Sequence, residues 1–307
     1  MKERLKTEFL GRVFNSPLVL PAGIMGISAA SLQAVSRSGA GLVTTKSLTL
    51  KPRTGHPGPV TEPFEGGLLN AMGLCNPGVA EGLQEARDYL SQADSGQGLI
   101  ISLFGTSPEE FSGLARRCGD LENTFLELNL SCPNVFDEFG TPLAASAPRV
   151  AEIIRSVKTA TELPVIAKLS PNVTDILPVA RAAEEAGADA LCLINTLGPG
   201  LAIDITTSRP VLSNRYGGLS GGCVKPVALR LVHLVSRTVA IPVIGMGGVS
   251  TWEDAVEMII AGARLVGLGT AVMDRGMEVF TEVNSGLAAF LENRNYRGIE
   301  EIPLLEI

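Results

Sequence analysis

A single cysteine stands between two asparagines in the stretch ELNLSCPN, residues 127–134, where an apolar run gives way to polar residues. Cys132 offers a thiolate, which can act as a nucleophile or a base. The amides of Asn129 and Asn134 can donate to and accept from a heterocyclic ring. No histidine is close to Cys132 in the sequence, so a base acting on a weakly acidic carbon is favoured over a histidine-activated nucleophile. The alternative is a buried packing cysteine, a common role of free cysteine.

The remaining cysteines lack this setting and are expected to be packing residues: Cys75, Cys118, Cys192 and Cys223. An odd total of five, with no Cys-x-x-Cys pair, argues against a disulfide framework and against a zinc or iron–sulphur site on this chain. The sequence has only two histidines, His56 and His233, so a histidine-based metal centre is not expected either.

Two lysines stand at the ends of apolar runs, Lys46 and Lys168. Lysine is seldom buried without an anionic or electron-rich partner. Lys168 could form a Schiff base, as in barrel aldolases, although its own segment AKLSPN (167–172) holds no carboxylate to move protons. It could instead place a cation beside a flavin ring and stabilise the reduced form. Position alone leaves both interpretations open.

The polar residues that interrupt apolar runs gather near the C-terminal ends of those runs. They are Lys46, Ser47, Ser102, Asn129, Cys132, Lys168, Asn195 and Thr196. Two later runs end instead in Gly247–Gly248 and Gly269–Thr270. Glycines let backbone N–H groups approach a phosphate, and barrels often bind phosphate between their last two strands. We therefore predict a phosphate site there, although the glycines could simply ease tight turns.

Eight apolar runs alternate with segments of helical character. The runs are 18–23, 41–47, 98–105, 125–132, 164–170, 190–196, 242–248 and 265–270, and helical spacing is clearest in 150–161, 176–187 and 251–263. Continuous apolar strands between helices are typical of a parallel sheet covered by helices. The sequence therefore predicts an α/β fold, a (β/α)₈ TIM barrel with a single domain over 1–307. An open doubly wound sheet would need an early G-x-G-x-x-G, which is absent.

Two connections are too long for simple crossovers, residues 48–97 after the second strand and 197–226 after the sixth. Both follow strand C-termini, the face at which barrel active sites form. Long connections in a compact domain are usually functional. We expect both to be long loop insertions over the active-site mouth.

Composition restricts the class of protein and its partners. The 307 residues are 45% apolar and 19% charged, and 25 basic against 32 acidic residues give a net charge of −7. A negative chain without a basic cluster is not expected to bind nucleic acid or an anionic membrane. The start, MKERLKTEFLGRVF, lacks the apolar core of a secretory signal, and no apolar run is long enough to span a membrane. These features predict a cytoplasmic protein.

Taken together, the motifs resemble the dihydroorotate dehydrogenase family of flavin enzymes in pyrimidine biosynthesis. The matching stretches are TTKS (44–47), NAMGLCNPG (70–78), ELNLSCPN (127–134), AKLSPN (167–172), INT (194–196), GGLSGGCVKPVAL (217–229), IPVIGMGGVSTWEDAVEMIIAGA (241–263) and VGLGTAVM (266–273). They cover nearly the whole chain in the family's order.

The resemblance implies that Cys132 removes a proton from C5 of dihydroorotate while C6 gives hydride to N5 of FMN. Class 1 members carry cysteine at this position, whereas membrane-bound class 2 members carry serine and an N-terminal helical extension. By the same resemblance, the substrate is held by Lys46, Asn70, Ala71, Met72, Gly73, Leu74, Asn129, Asn134, Asn195 and Thr196. FMN is held by Ala22, Lys46, Ser47, Ser102, Asn129, Lys168, Ile194, Gly221, Gly247, Gly248, Gly269 and Thr270.

Within class 1, SLTLKPRTGHPGPV and SPNVTDI resemble the 1B subgroup more than the fumarate-using 1A subgroup. Class 1B implies a partner subunit with FAD and a [2Fe–2S] cluster that passes electrons to NAD⁺, around a homodimer core in a heterotetramer. Two positions depart from the family pattern. PAGIMG at the first strand lacks a flavin-contacting serine, so Ala22 stands in, and Ser102 occupies a place where several members have asparagine.

Several alternatives remain open at this level. A dihydropyrimidine dehydrogenase-like enzyme would act on uracil or thymine, which lack a carboxylate for Lys46. A phosphate-binding lyase would use Lys168 covalently without a flavin. A non-catalytic barrel would serve as an electron-transfer or regulatory scaffold. The loop 133–142, which contains a glycine and flanking prolines, is expected to close over the substrate and exclude water.

Overall fold

Eight parallel strands close into a barrel in the computed structural model, which describes residues 2–121, 124–131 and 145–306. In order around the barrel they are β3 (Leu18–Leu20), β4 (Leu42–Thr44), β7 (Gly98–Leu103), β8 (Thr124–Asn129), β9 (Val165–Lys168), β10 (Ala190–Leu193), β15 (Val243–Met246) and β16 (Leu265–Gly267). All eight predicted strands are present, so the predicted (β/α)₈ barrel is confirmed.

Helices surround the barrel. They are α1 (Ala29–Arg37), α2 (Val79–Leu90), α3 (Pro108–Arg117), α4 (Ala147–Lys158), α5 (Leu177–Glu185), α6 (Lys225–Ser236), α7 (Trp252–Ile260), α8 (Thr270–Arg275) and α9 (Val279–Asn293). The three helices predicted from periodicity correspond to α4, α5 and α7. Thr251 and Asp254 form a reciprocal capping box at the start of α7. Within the part of the chain described, no helix is long and apolar enough to cross a membrane.

The inside of the barrel changes from apolar to polar along the strands. Side chains alternate between the two faces of a strand, so residues two apart share the interior. Phe125 and Ile166 belong to the apolar interior cluster. Two residues further along the same strands, Glu127 and Lys168 form part of a polar layer nearer the C-terminal mouth, and both are buried. The apolar layer closes the barrel below, and the polar layer faces the site.

A hairpin covers the opposite, N-terminal end of the barrel. It pairs β1 (Thr7–Phe9) with β2 (Arg12–Phe14) in antiparallel register. The rings of Phe9 and Phe14 meet the ring of Phe125 edge-on, with centroids 5.7 and 6.0 Å apart. This end is therefore sealed, which leaves the C-terminal mouth as the open end of the interior.

The two long connections fold together at the C-terminal mouth. They form a four-stranded antiparallel sheet in the order β11 (Leu197–Leu201), β14 (Tyr216–Ser220), β6 (Gly67–Asn70) and β5 (Thr61–Phe64). A two-residue pair, β12 (Ile203–Asp204) with β13 (Arg209–Pro210), extends from it. The insertions were predicted as loops, and the pairing of β6 with β14, which joins them, links segments about half the chain apart without any local sequence signal.

Candidate active site

A row of hydrogen-bonded side chains crosses the mouth of the barrel. Ser47, just after β4, has its Oγ 2.9 Å from the Oγ of Ser102 on β7. The Nδ2 of Asn129, the last residue of β8, donates to Ser47 Oγ at 3.1 Å. Three residues predicted to hold a cofactor are therefore in one network, because neighbouring parallel strands end at the same rim.

Ser131 extends this row toward the sixth barrel strand. Its hydroxyl donates to Asn129 Oδ1 at 2.6 Å and accepts from the Nδ2 of Asn195. The Oδ1 of Asn195 in turn accepts from the backbone N–H of Thr196 at 2.8 Å. Ser131 thus joins two asparagines predicted to bind substrate, a role that sequence reasoning missed because Ser131 is adjacent to the more conspicuous Cys132.

A buried carboxylate, Glu127, lies beside Lys168. Its Oε1 is 3.8 Å from Lys168 Nζ and accepts a hydrogen bond from Ser102 Oγ at 2.9 Å. The segment around Lys168 contains no carboxylate, which counted against a Schiff base in the sequence. The fold corrects this, because it brings Glu127 beside Lys168. The carboxylate comes from the adjacent strand β8, to which β9 pairs in parallel.

The surroundings of Lys168 favour its charged form. Burial lowers the pKa of Lys168, but the Glu127 carboxylate raises it and the net direction is upward. A lysine that forms a Schiff base needs a lowered pKa so that its amine is free to attack. Glu127 supplies the carboxylate that the segment around Lys168 lacks. The raised pKa of Lys168 nevertheless favours a fixed cation over a Schiff-base lysine.

Lys46 is a second cation at the rim, in a different environment. It is buried, and its Nζ donates to the carbonyl oxygen of Gly23 at 3.3 Å. Burial lowers the pKa of Lys46, and the neighbouring Cys75 only partly opposes this. An anionic ligand at this position would raise the pKa again, because an opposite charge nearby favours the ammonium. This matches the predicted binding of a substrate carboxylate.

The predicted substrate turn, residues 70–74, follows β6 directly. The Nδ2 of Asn70 donates to the backbone oxygen of Gly218 at 3.2 Å. Thr196 packs against the same glycine, where an added Cβ would lie 2.1 Å from Thr196 Oγ1. Asn70 and Thr196 therefore meet through the four-stranded sheet. The rest of the turn is held by the backbone N–H of His56, which donates to Met72 O at 3.2 Å.

Left-handed backbone at Gly73 and Leu74 shapes the end of this turn, with φ of 70° and 57°. A Cβ on Gly73 would come within 2.6 Å of the backbone nitrogen of His56. Glycine is therefore required here both for its conformation and for the close approach of the two segments.

Three of the glycines predicted to hold FMN, Gly221, Gly247 and Gly248, lie close together. A Cβ on Gly247 would lie 3.2 Å from Ile194 Cγ1, and a Cβ on Gly248 would lie 2.9 Å from Gly221 O. All three glycines have positive φ, between 79° and 119°. Their backbones can approach each other and a ligand only because they lack side chains.

Asp254 fixes the segment that carries Gly247 and Gly248. Its carboxylate accepts from the backbone N–H groups of Ser250 and Thr251, both at 2.9 Å, and from Lys225 Nζ at 2.5 Å. Burial raises the pKa of Asp254, but these hydrogen bonds outweigh it and the net direction is downward. Asp254 therefore stays ionised and ties the glycine segment to the start of α6.

The remaining predicted cofactor residues border the first and last barrel strands. Ala22 is half-buried in the segment that follows β3. Gly269 immediately precedes α8, of which Thr270 is the first residue, and a Cβ on Gly269 would be 3.3 Å from Pro21 Cγ. The segment after β3 and the start of α8 are thus neighbours at the rim.

Cys132, Asn134 and the predicted loop 133–142 lie outside the residues that the structure describes. Among the four cysteines that are described, Cys118 and Cys192 are buried, as expected for packing residues, whereas Cys223 is exposed. Across the described ranges, no group of histidine, cysteine or acidic side chains could hold a metal ion.

Comparisons with known proteins agree with this arrangement. The family model described as dihydroorotate dehydrogenase matches residues 4–291. The protein of Methanothermobacter thermautotrophicus called dihydroorotate dehydrogenase B (NAD(+)), catalytic subunit, is 44% identical over 298 residues, 97% of each chain. Proteins of the same name from Pyrococcus abyssi, 43% identical over 97% of each chain, and Methanocaldococcus jannaschii, 40% identical over 97% of this chain and 96% of that one, are also similar. The chain therefore belongs to the dihydroorotate dehydrogenase family.

Proposed function

We propose that this chain is an FMN-dependent dihydroorotate dehydrogenase, the catalytic subunit of a class 1B enzyme in pyrimidine biosynthesis. The observation that carries the proposal is the row of polar side chains at the mouth: an ion pair joins Lys168 to Glu127, and hydrogen bonds continue from Glu127 through Asn129 to Asn195. It joins the predicted cofactor residues to the predicted substrate residues in a chain whose relatives carry that name. The cytoplasmic location expected from the sequence stays a prediction.

The residues at the mouth fit a bound FMN. Thr44, the last residue of β4, is 1% exposed, and its Oγ1 has no hydrogen-bond partner within the described part of the chain. A buried hydroxyl of this kind calls for a polar group on a ligand. At the other side of the mouth, Gly221, Gly247 and Gly248 offer backbone N–H groups without side chains in the way, as a phosphate requires.

When bound, FMN accepts a hydride, and its reduced ring is stabilised by a nearby cation. Lys168 is the residue that would supply the cation, because it stays charged inside the barrel. Lys46 would hold the substrate carboxylate. Asn70, Asn129, Asn195 and Thr196 would hold the ring of dihydroorotate, since amides and hydroxyls match its N–H and C=O groups.

Cys132 would take the proton from C5 of dihydroorotate. The electron pair of that C5–H bond would form the C5–C6 double bond as hydride is lost from C6, and bound FMN would supply the hydride acceptor. The product is orotate, and the proton rests on the thiol. Exclusion of water by the predicted loop 133–142 would protect both transfers.

The final electron acceptor would be NAD⁺, reached through a partner subunit. The names of the relatives contain NAD(+) and catalytic subunit, which supports a separate electron-transfer chain. We propose that this partner carries FAD and a [2Fe–2S] cluster, and that two copies of the present chain form the core of a heterotetramer. A fumarate-dependent class 1A enzyme and a dihydropyrimidine dehydrogenase-like enzyme are less well supported by these names.

Anaerobic titration of the purified protein with dihydroorotate tests the proposal. Bleaching of the oxidised flavin band is expected, because substrate and cofactor then react without any partner subunit. A yellow protein that stays oxidised with dihydroorotate but bleaches with dihydrouracil would show that the substrate is a dihydropyrimidine without a carboxylate. A colourless protein that cannot be reconstituted with FMN would overturn the assignment of FMN as the cofactor.

Ser131→Ala is expected to raise the KM for dihydroorotate by about tenfold while FMN binding is retained. The substitution removes the hydroxyl that donates to Asn129 and accepts from Asn195. Two ordinary hydrogen bonds are worth about 1–3 kcal/mol together. Steady-state kinetics with dihydroorotate measures the effect. Ser156→Ala is the matched control, because Ser156 donates to Pro108 O between two outer helices. Equal KM values for the two variants would show that Ser131 does not contribute to binding of dihydroorotate.

A further inference from the structure

Glu127 is a carboxylate inside the barrel that begins the ELNLSCPN stretch but receives no role from the sequence. It lies two residues after Phe125 on β8, so strand alternation places both side chains on the interior face. It is only 2% exposed. A carboxylate is rarely buried to this degree unless a cation and hydrogen bonds compensate for the loss of water.

The compensating cation is Lys168 on the neighbouring strand. The two side chains are 2% and 5% exposed, and Nζ and Oε1 are 3.8 Å apart. This separation is longer than a hydrogen bond, so Glu127 neutralises the ammonium without taking one of its three N–H donors. Within the described part of the chain those donors have no other partner, so they could serve a ligand.

Glu127 also fixes the direction of the hydrogen-bonded row. An ionised carboxylate can only accept, so Ser102 must give its single proton to Glu127. Ser47 then has to donate to Ser102, and Ser47 is left to accept from the amide nitrogen of Asn129. The amide oxygen of Asn129 consequently points to Ser131, which donates to it. One buried charge thus orients an amide three side chains away.

We propose that Glu127 is the positioning residue of this site: it holds Lys168 as an ammonium for bound FMN and sets the orientation of the Asn129 amide. The inference rests on the proposed function, since FMN is the group that Lys168 would face. It adds a residue that would act on the site through Lys168 and the hydrogen-bonded row.

Two titratable groups act on Lys168 from the strands packed against β9, Glu127 from β8 and Cys192 from β10. Burial raises the pKa of the Cys192 thiol well above its usual value, so the thiol stays neutral. Glu127 is therefore the charge that offsets burial and keeps the pKa of Lys168 high. Without that carboxylate, burial would act alone and lower the pKa.

The first test is the midpoint potential of bound FMN as a function of pH, in the wild-type protein and in Glu127→Gln. In the wild type, Lys168 is charged throughout, so its proton does not enter the titration. In the Gln variant, Lys168 is expected to lose its proton at alkaline pH and to regain it on flavin reduction. Two-electron reduction of the Gln variant would then take up one additional proton at alkaline pH, so its midpoint potential should fall more steeply with pH than that of the wild type. At high pH its potential should approach that of Lys168→Met. Parallel curves for wild type and Gln variant would overturn the proposal.

Two control variants separate the charge from the packing. Glu127→Asp keeps the charge and is expected to restore the wild-type slope. Cys192→Ala removes the neutral thiol beside Lys168 but leaves the ion pair, so its slope should also match the wild type. A steep slope in either of these variants would show that packing, and not the carboxylate charge, controls Lys168.

A second test uses the apoprotein and therefore does not depend on FMN or on dihydroorotate. Urea unfolding is compared for Lys168→Met, Glu127→Gln and the double variant. Removing one partner leaves a buried charge or an unpaired group, so the double variant should be more stable than Lys168→Met alone. Strictly additive losses would mean that the two side chains are not coupled. If the two side chains are coupled in the apoprotein but the protein does not bind FMN, the proposed cofactor is wrong and the interaction between Glu127 and Lys168 stands.

Discussion

Cys132→Ser is expected to slow the reduction of bound FMN by dihydroorotate by roughly 10²–10⁴-fold, the usual contribution of a general base. A serine hydroxyl is a far weaker acid than a thiol, so it remains protonated at neutral pH and accepts the proton from C5 much less readily in this site. FMN binding should be unchanged, because no predicted cofactor residue is altered. Stopped-flow absorbance under anaerobic conditions measures the rate.

The pH dependence of the same reaction gives an independent readout. The wild-type rate should rise with pH along a single ionisation, since an ordinary thiol titrates near ~8.5 and the thiolate is the active form. The serine variant should lose that ionisation. Cys118→Ala is the control, because burial raises the pKa of Cys118 to about 12 and keeps it protonated. A serine variant that reduces FMN at the wild-type rate would rule out Cys132 as the base.

Gly248→Ala is expected to weaken FMN binding by roughly 10–100-fold. Gly248 has φ of +79°, and an added Cβ would lie 2.6 Å from Lys225 Cβ and 2.9 Å from Gly221 O. A left-handed alanine costs about 1–3 kcal/mol of strain, and the segment can relieve the clash only by moving away from α6. That movement would separate the backbone N–H groups that the phosphate needs. Each 1.4 kcal/mol lost in the complex is a factor of about ten in affinity.

Fluorescence titration of the apoprotein with FMN measures this loss. Gly113→Ala is the matched control, because Gly113 lies in α3, has ordinary helical backbone and has nothing within 4 Å of an added Cβ. It should bind FMN like the wild type and be as stable or slightly more so. A folded Gly248→Ala protein with unchanged FMN affinity would place the phosphate elsewhere at the mouth.

The sequence determined the barrel and most of the rim. Apolar runs separated by helical segments allow only a helix-covered parallel sheet, and a closed parallel barrel brings every strand C-terminus to one mouth. Residues such as Ser47, Asn129 and Asn195 could therefore be assigned to one site before their contacts were known. The capping box at Thr251 was likewise readable, because its two residues are only three apart in the chain.

Tertiary structure alone decided how those residues are connected. Glu127 meets Lys168 because β8 and β9 are neighbours, although 41 positions separate them in the chain. Asn70 reaches Gly218 only because two insertions pair into one sheet. Pattern reasoning reads periodicity and short spacings, whereas these contacts depend on which strands become adjacent and which face each side chain takes once the barrel has closed.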